Sequence, residues 1–122
     1  MEAFAWLAND LKHARDNPAI KWVIFSSHRP SVCTDTSGED CGRNIFTFRK
    51  YDALLEKYKV DLKLNGHIHV YNRIAPLKGM KIVEQGEGPM TLVIGHSGTD
   101  HFFPSKEVEE LYKSPIVEKV SY

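Results

Sequence analysis

Three histidines stand directly after two apolar segments of the chain. His28 follows the run Trp22-Val23-Ile24-Phe25, and the pair His67 and His69 follows a shorter run that ends at Asn65-Gly66. Imidazole binds zinc, iron and manganese through a ring nitrogen, and the end of a buried strand holds a ligand steadily. Gly66 is expected to let the backbone turn sharply, so that the two rings of a His-x-His unit reach different targets. The pattern predicts a site for one metal or for two neighbouring metals.

The elements that would position these histidines alternate between helix and strand. Phe4, Leu7, Leu11 and Ala14 recur at helical spacing, and Asn17-Pro18 ends that helix. A strand buried on both faces, a long loop, a second helix and another short strand are then expected at 21–27, 29–44, 48–58 and 61–64. This order predicts an α/β layered fold, in which ligands bind beyond the carboxyl ends of the strands.

The remainder of the chain has a more β-rich pattern. Strands are expected at 73–77, 80–83 and 90–94, with a tight turn at Lys78-Gly79 between the first two. Ser105 can cap a short helix that continues to Tyr112, and the tail from Ser114 carries no clear pattern. We therefore divide one partial domain, 1–122, into a histidine-bearing half, 1–72, and a β-rich part with its tail, 73–122.

Composition excludes several classes of function. The chain has 122 residues, enough for one domain, and its 16 basic and 16 acidic side chains give a net charge of zero. Nucleic-acid binders usually carry a basic excess, so neither a nucleic-acid partner nor a membrane partner is expected. No signal or transit peptide is recognisable at the N-terminus. The spacing of Cys33 and Cys41 is compatible with a disulfide or with two free thiols, and it is not that of a zinc site.

The motifs resemble those of calcineurin-like metallophosphoesterases, most closely the long-chain purple acid phosphatases. The strand ending in His28-Arg29-Pro30 is similar to that family's strand ending in His-Arg-Pro. The segment 66–73, Gly-His-Ile-His-Val-Tyr-Asn-Arg, is similar to its Gly-His-x-His-x-Tyr-Glu-Arg. Residues 92–95 and 98–100 resemble a late strand and its glycine-rich turn. The resemblance covers roughly residues 6–100 and implies the C-terminal half of a catalytic domain, a layered β-sandwich flanked by helices.

The resemblance gives each histidine a role. It implies that His28 and His67 bind the divalent metal of a dinuclear centre and that His69 binds the other metal, which is Fe(III) in purple members. The implied cofactor is iron with zinc, iron or manganese, and the implied reaction is hydrolysis of phosphate monoesters by a metal-bound hydroxide. Paired cysteines recur after His-Arg-Pro in some members, which favours a bond between Cys33 and Cys41. A secreted or lysosomal parent protein is also implied.

The chain departs from the family pattern in one important respect. The Gly-Asp, Gly-Asp-x-x-Tyr and Gly-Asn-His motifs, which supply carboxylate, tyrosine and asparagine ligands, would lie upstream of Met1. Asp35 and Asp40 stand in the wrong context to replace them, and Asn72 stands where glutamate is usual. The isolated chain is therefore expected to be a weak or inactive phosphatase.

Two further residues are candidates for contact with substrate. Arg29 could approach a phosphate group as a bidentate donor, although a loop arginine is more often simply solvated. His96 follows the strand predicted at 90–94 and could face the substrate cleft, but it matches no ligand of the family. His13 on the first helix and His101 in a loop are expected to have no role in the site.

The sequence leaves three functions open. The first is a share in a dinuclear acid phosphatase, and the second is a phosphodiesterase or nucleotidase of the same superfamily, which also uses Gly-His-x-His. The third is a non-catalytic half-domain that binds a metal or a partner chain. A half-sheet has exposed strand edges, so association through those edges or with the missing half is expected.

Overall fold

The computed structural model describes residues 2–32, 49–79, 81–95 and 98, together with the backbone of a strand near the C-terminus. Its elements are α1 (Glu2–Asp16), β1 (Ile24–Ser27), α2 (49–57), β2 (Leu62–Asn65), β3 (Tyr71–Ile74), β4 (Leu77–Lys78), β5 (Lys81–Ile82), β6 (Met90–Ile94) and β7 (Val117–Ser121). Cys33, Cys41, His96 and the helix predicted at 105–112 lie outside the described residues. The disulfide and the role of His96 therefore stay predictions.

The predicted order of elements is confirmed for the part of the chain that the structure describes, with one difference: the strand expected at 73–77 is two strands, β3 and β4, which belong to different sheets. Both helices form where the apolar spacing places them, and β6 has the bounds that the sequence pattern predicts. The turn at Lys78-Gly79 joins β4 to β5, and Gly79 takes a φ of 54°, a conformation that glycine adopts without steric cost. Neither described helix is both long and apolar enough to cross a membrane.

Five strands form one mixed sheet in the order β1-β2-β6-β3-β7. The pairs β1–β2 and β2–β6 are parallel, whereas β3 is antiparallel to both β6 and β7. β6 therefore lies between β2 and β3, although it follows both of them in the chain. Residues 66–70, which connect β2 to β3, must therefore cross over the carboxyl end of β6 to reach β3.

The two helices cover one face of the sheet near β1. Leu7 and Leu11 of α1 pack with Leu54 and Leu55 of α2, and the half-buried Phe25 of β1 packs against this cluster. Burial of a leucine or phenylalanine side chain stabilises a fold by roughly 1.5–3 kcal/mol, so these residues account for much of the attachment of the helices.

A second attachment of α1 is polar and lies at the start of β2. Arg15 donates through Nη2 to Asp61 Oδ2 at 2.7 Å and through Nε to the carbonyl of Tyr58 at 2.8 Å. The backbone N–H of Val23 donates to the same Asp61 oxygen at 2.8 Å. One carboxylate thus joins the end of α1 to the start of both β1 and β2.

The prediction that β1 is buried on both faces is wrong. Trp22, just before the strand, is 73% exposed, and Ile24 within it is 57% exposed. The reason is that β1 is the edge strand of the described sheet, with β2 as its neighbour, and that the helices cover only the Phe25 side. A hydrophobic run alone could not distinguish a central strand from an edge strand whose outer surface stays open.

A buried ion pair fixes α2 against β2. Lys63 of β2 donates to Asp52 Oδ1 at 2.9 Å and to Ser31 Oγ at 2.8 Å, and Ser31 donates to the same carboxylate oxygen at 2.8 Å. The side chains of Lys63 and Asp52 are only 6% and 16% exposed. Because a buried charge is costly unless it is paired, the three residues depend on one another.

We expect Asp52→Ala to destabilise the chain by about 3–5 kcal/mol, since it leaves the Lys63 ammonium buried without its carboxylate. The double variant Asp52→Ala/Lys63→Met should be clearly more stable than Asp52→Ala, because no charge is then left unpaired. Urea unfolding followed by circular dichroism measures both. Lys12→Ala, which removes the exposed pair with Asp16, is the control and should change little. A double variant as unstable as Asp52→Ala would show that buried charge is not the cause.

Candidate metal centre

His28 and His67 are brought together by the parallel pairing of β1 and β2. The last pair in register is Ser27 with Asn65, so both loops begin at the same edge of the sheet. The N–H of Gly66 then donates to the carbonyl of His28 at 2.9 Å and continues the pairing by one more bond. Both histidines thus follow the carboxyl ends of their strands, as expected, and the structure adds that these two strands are neighbours.

The two imidazole rings are in direct contact. His67 Nδ1 and His28 Nε2 are 3.0 Å apart, so one ring donates a hydrogen bond to the other. The ring centroids are 4.9 Å apart and the planes make an angle of 74°, an edge-on arrangement. Two ring nitrogens from different loops therefore converge on one small region.

The sharp turn is made by His67 rather than by Gly66. His67 has a φ of 67°, in the left-handed region that non-glycine residues seldom occupy, whereas no positive φ is found at Gly66. A Cβ built on Gly66 would meet nothing nearer than 3.8 Å, which is ordinary contact. The expectation that Gly66 supplies the turn is wrong, and the unusual conformation falls on the candidate ligand itself, as is common at functional sites.

Gly95, just after β6, is the glycine that the site requires. A Cβ built there would lie 2.1 Å from the carbonyl oxygen of Ile68 and 3.3 Å from the backbone of Gly66. The loop at 66–70 crosses the end of β6 at this point, so the backbone of the histidine loop rests on the glycine. Only a residue without a Cβ allows that approach.

An open cleft of about 460 Å³ adjoins His28 and lies beside the ends of β1, β2 and β6. The cleft is lined by Ser26, Ser27, His28, Leu64, Asn65, Gly66 and Ile94. His28 is exposed and His67 is half-buried, so a small ion from solvent can reach the pair.

The spacing of the two nitrogens is compatible with one metal ion. Two imidazole nitrogens at about 2.1 Å from a metal are roughly 3.0 Å apart for a right angle and roughly 3.4 Å apart for a tetrahedral one. The observed 3.0 Å lies at the lower end of that range. Both lone pairs are needed for coordination, so metal binding would replace the hydrogen bond between the rings.

The other candidate residues are not part of this pair. His69 is half-buried, two residues further along the loop, and no group of three or more His, Cys, Asp or Glu within the described residues could hold a metal. Arg29 borders a different cavity, of about 280 Å³, under the helices with Lys63 and Asp52. The structure therefore brings together His28 and His67, and the roles of His69 and Arg29 stay predictions.

Asn72 occupies the position where the resemblance would place a glutamate. It is fully buried, and its side-chain N–H donates to the carbonyl of Tyr71 at 3.0 Å. A neutral amide is much less costly to bury than a carboxylate, so an asparagine suits this enclosed position.

Comparison with known sequences identifies the family. The sequence model of the calcineurin-like phosphoesterases matches residues 2–71, which is more than half of the 122 residues. The chain belongs to the calcineurin-like phosphoesterase family. The match includes α1, the parallel strands β1 and β2, and the whole of the loop that carries His67 and His69.

Individual members of this family point to the purple acid phosphatases, as the motifs predict. Human acid phosphatase type 7 is 31% identical over 114 residues, which cover 80% of this chain and 26% of that protein. An acid phosphatase of Aspergillus ficuum is 38% identical over 76 residues, covering 62% of this chain and 12% of the relative. The chain thus spans about a quarter or less of the length of these relatives.

A solved structure shares the fold. A purple acid phosphatase from yellow lupin seeds superposes with a TM-score of 0.70 over 87% of this chain and 20% of that one, at 22% identity. The predicted α/β class is confirmed, with a sheet that is parallel on the β1 side and antiparallel on the β7 side.

The sequence interpretation missed two residues that shape the site. Asn65 was expected to be part of a turn, yet it is the last residue of β2 and only 4% exposed. Gly95 was noted only as the end of a late strand, and its contact with the histidine loop depends on β6 lying between β2 and β3. The available signal for Asn65 is its position directly before Gly-His-x-His. Gly95 has no local signal in the sequence.

We expect Gly95→Ala and Gly66→Ala to differ sharply. Gly95→Ala should destabilise the chain by about 1–3 kcal/mol, because its Cβ would overlap the Ile68 carbonyl and force the histidine loop to move. Gly66→Ala should be neutral or slightly stabilising, since its site has space and an ordinary φ. Urea unfolding of both variants, side by side, is the measurement. Equal stabilities would contradict the close approach at Gly95.

Proposed function

We propose that this chain contributes part of a dinuclear metal centre that hydrolyses phosphate monoesters. The observation that carries the proposal is the convergence of two imidazole nitrogens, 3.0 Å apart, from His28 and His67 at the carboxyl edge of the sheet. Membership of the calcineurin-like phosphoesterase family supports a phosphoesterase, and the relatives named as acid phosphatases favour monoesters over diesters.

In this proposal His28 and His67 hold a divalent ion, zinc, iron or manganese, and His69 is a ligand of a neighbouring iron ion. When bound, such a metal pair acidifies a water molecule and neutralises charge on the phosphoryl group. The contribution of this chain is to present the rings on rigid strand ends and to keep the backbone of the loop fixed over Gly95. The carboxylate and asparagine ligands come from outside this chain, in a longer secreted or lysosomal parent or in a partner.

Among the described strands β1 has a neighbour on one side only, and this supports the proposal of a partner. Ile24 of β1 is 57% exposed on the sheet face opposite the helices, and there it borders a cavity of about 630 Å³ together with Trp22, Leu62 and Met90. Parallel strands are normally covered on both faces of the sheet. In a solution of this chain alone, we propose that a second copy occupies the edge, because the net charge of zero provides no repulsion between copies.

We expect the purified chain to bind Co²⁺ or Zn²⁺ through this pair. His28→Ala and His67→Ala should each weaken binding by more than about ten-fold, because loss of a ligand exceeds the cost of losing an outer hydrogen-bond partner. His13→Ala is the matched control, since His13 is an exposed residue of α1 whose ring bonds to the Asn9 carbonyl in its own helix. Titration monitored by the visible absorption of Co²⁺ measures all three. Binding that survives both ligand substitutions would overturn the assignment.

We further expect gel filtration of the chain to give a species larger than 13.9 kDa, with little phosphatase turnover in any fraction. Association follows from the open side of β1, and low turnover follows because neither copy carries the family's carboxylate motifs in its sequence. Ile24→Lys places a charge on the open face of β1, beside its outer edge, and should restore the monomer. A monomer at all concentrations would contradict the proposal that a second copy associates at β1. Robust hydrolysis of p-nitrophenyl phosphate would show that the chain needs no further ligands.

A further inference from the structure

Asn65 joins the two loops that carry the candidate ligands. Its side-chain Nδ2 donates to the carbonyl of Ser27 at 3.0 Å and to Ser27 Oγ at 2.8 Å. A third, longer contact reaches the carbonyl of Arg29 at 3.4 Å. The residues on either side of His28 are therefore both held by one amide, which itself stands two positions before His67.

The hydroxyl of Ser27 closes the turn from the other side. Ser27 Oγ donates to the carbonyl of Arg29 at 3.1 Å, so that the segment Ser27 to Arg29 is bonded both within itself and to Asn65. The Gly66 N–H donates to the carbonyl of His28 in the middle of the same segment. The backbone that carries the His28 ring is thus held in place relative to the end of β2.

We propose that Asn65 is a positioning residue that sets the distance between the His28 and His67 rings. This inference rests on the proposed function, in which the two rings share one metal. Asn65 does not contact the metal position itself. It fixes the backbone of the His28 turn relative to β2, and the loop beginning at Gly66 carries the second ring.

The chemistry of the side chain supports this role. Two of the three acceptors are backbone carbonyls, which cannot donate, so the NH₂ group must face them and the orientation of the amide is determined. Asn65 Oδ1 is then buried and has no hydrogen-bond partner among the described residues. An apolar side chain would avoid that cost, so filling space does not account for an amide here. Aspartate has the same shape but no donor, and it would repel both carbonyls.

The test compares Asn65→Ala and Asn65→Asp with Thr91→Val in the full 122-residue chain. Thr91 is a suitable control because it is 1% exposed and lies on the same face of the sheet, next to Lys63 rather than next to the turn. Two readouts are made on each variant: the nuclear Overhauser contact between the His28 and His67 rings without metal, and the affinity for Co²⁺. Ser27→Ala is a milder variant that removes one acceptor and one donor without disturbing the core.

Both Asn65 variants should lose the contact between the rings and bind Co²⁺ about 10- to 100-fold more weakly, the range typical of outer-shell partners. Thr91→Val should retain both properties. In a His28→Ala background, Asn65→Ala should have little further effect on affinity, because the ring that it positions is absent. A purely structural role would give the same loss in either background. If Asn65→Ala fails to fold, a smaller loss in Ser27→Ala still supports the proposal.

Retention of the ring contact in folded Asn65→Ala, or in both Asn65→Asp and Ser27→Ala, would overturn the positioning role. The two readouts also separate this inference from the proposed function. If the wild-type chain binds no Co²⁺, the metal proposal fails, while the ring contact still decides whether Asn65 positions the histidines. If Co²⁺ binds equally well to the wild-type chain and to Asn65→Ala, Asn65→Asp and Ser27→Ala, but not to His28→Ala, the metal proposal stands and the role of Asn65 is rejected.

Discussion

The candidate site depends on the parallel register of two short strands. β1 and β2 pair from Ile24 with Leu62 to Ser27 with Asn65, and one further bond, from Gly66 to the His28 carbonyl, continues the pairing into the loops. A shift of one residue would turn every side chain of β2 to the opposite face. It would expose Lys63 and Asn65 and separate the rings. The contact between the histidines is thus a consequence of strand register more than of any local preference in the loops.

The register is held by polar groups that the helices and strands enclose. Just before β2, Asp61 accepts hydrogen bonds from Arg15 and from the backbone of Val23. Within the strand, Lys63 forms an ion pair with Asp52. At its end, Asn65 donates to the carbonyl of Ser27. Asp61, Lys63 and Asn65 occupy every second position, so their side chains all lie on the face of the sheet that the helices cover. Buried polar groups cost free energy unless each finds its partner, and the partners here exist in one register only.

The sequence was sufficient for most of the elements and for the placement of His28 and His67 after two strands, but not for β7, for the division of 73–77 into β3 and β4, or for the surroundings of the histidines. Apolar spacing predicted α1, and the approximate positions of α2, β1, β2 and β6 followed from the same patterns. His28 and His67 could be assigned to one edge because adjacent parallel strands end together. The exposure of Ile24, the left-handed backbone of His67 and the contact at Gly95 all depend on which strands are neighbours. Strand order is a property of the assembled sheet, and no local run of residues specifies it.

The position of β6 has a consequence for how the chain acquires this site. β2 and β3 are separated by only the five residues 66–70, yet they cannot pair with each other, because β6 must enter the gap between them some twenty residues later in the chain. Contacts between distant segments form slowly, since the intervening chain must first be ordered. The histidine loop receives its support from Gly95 only once that insertion is complete. The final position of this loop is therefore a late product of folding, and a chain interrupted before β6 would carry His67 and His69 on a loop without the support of Gly95.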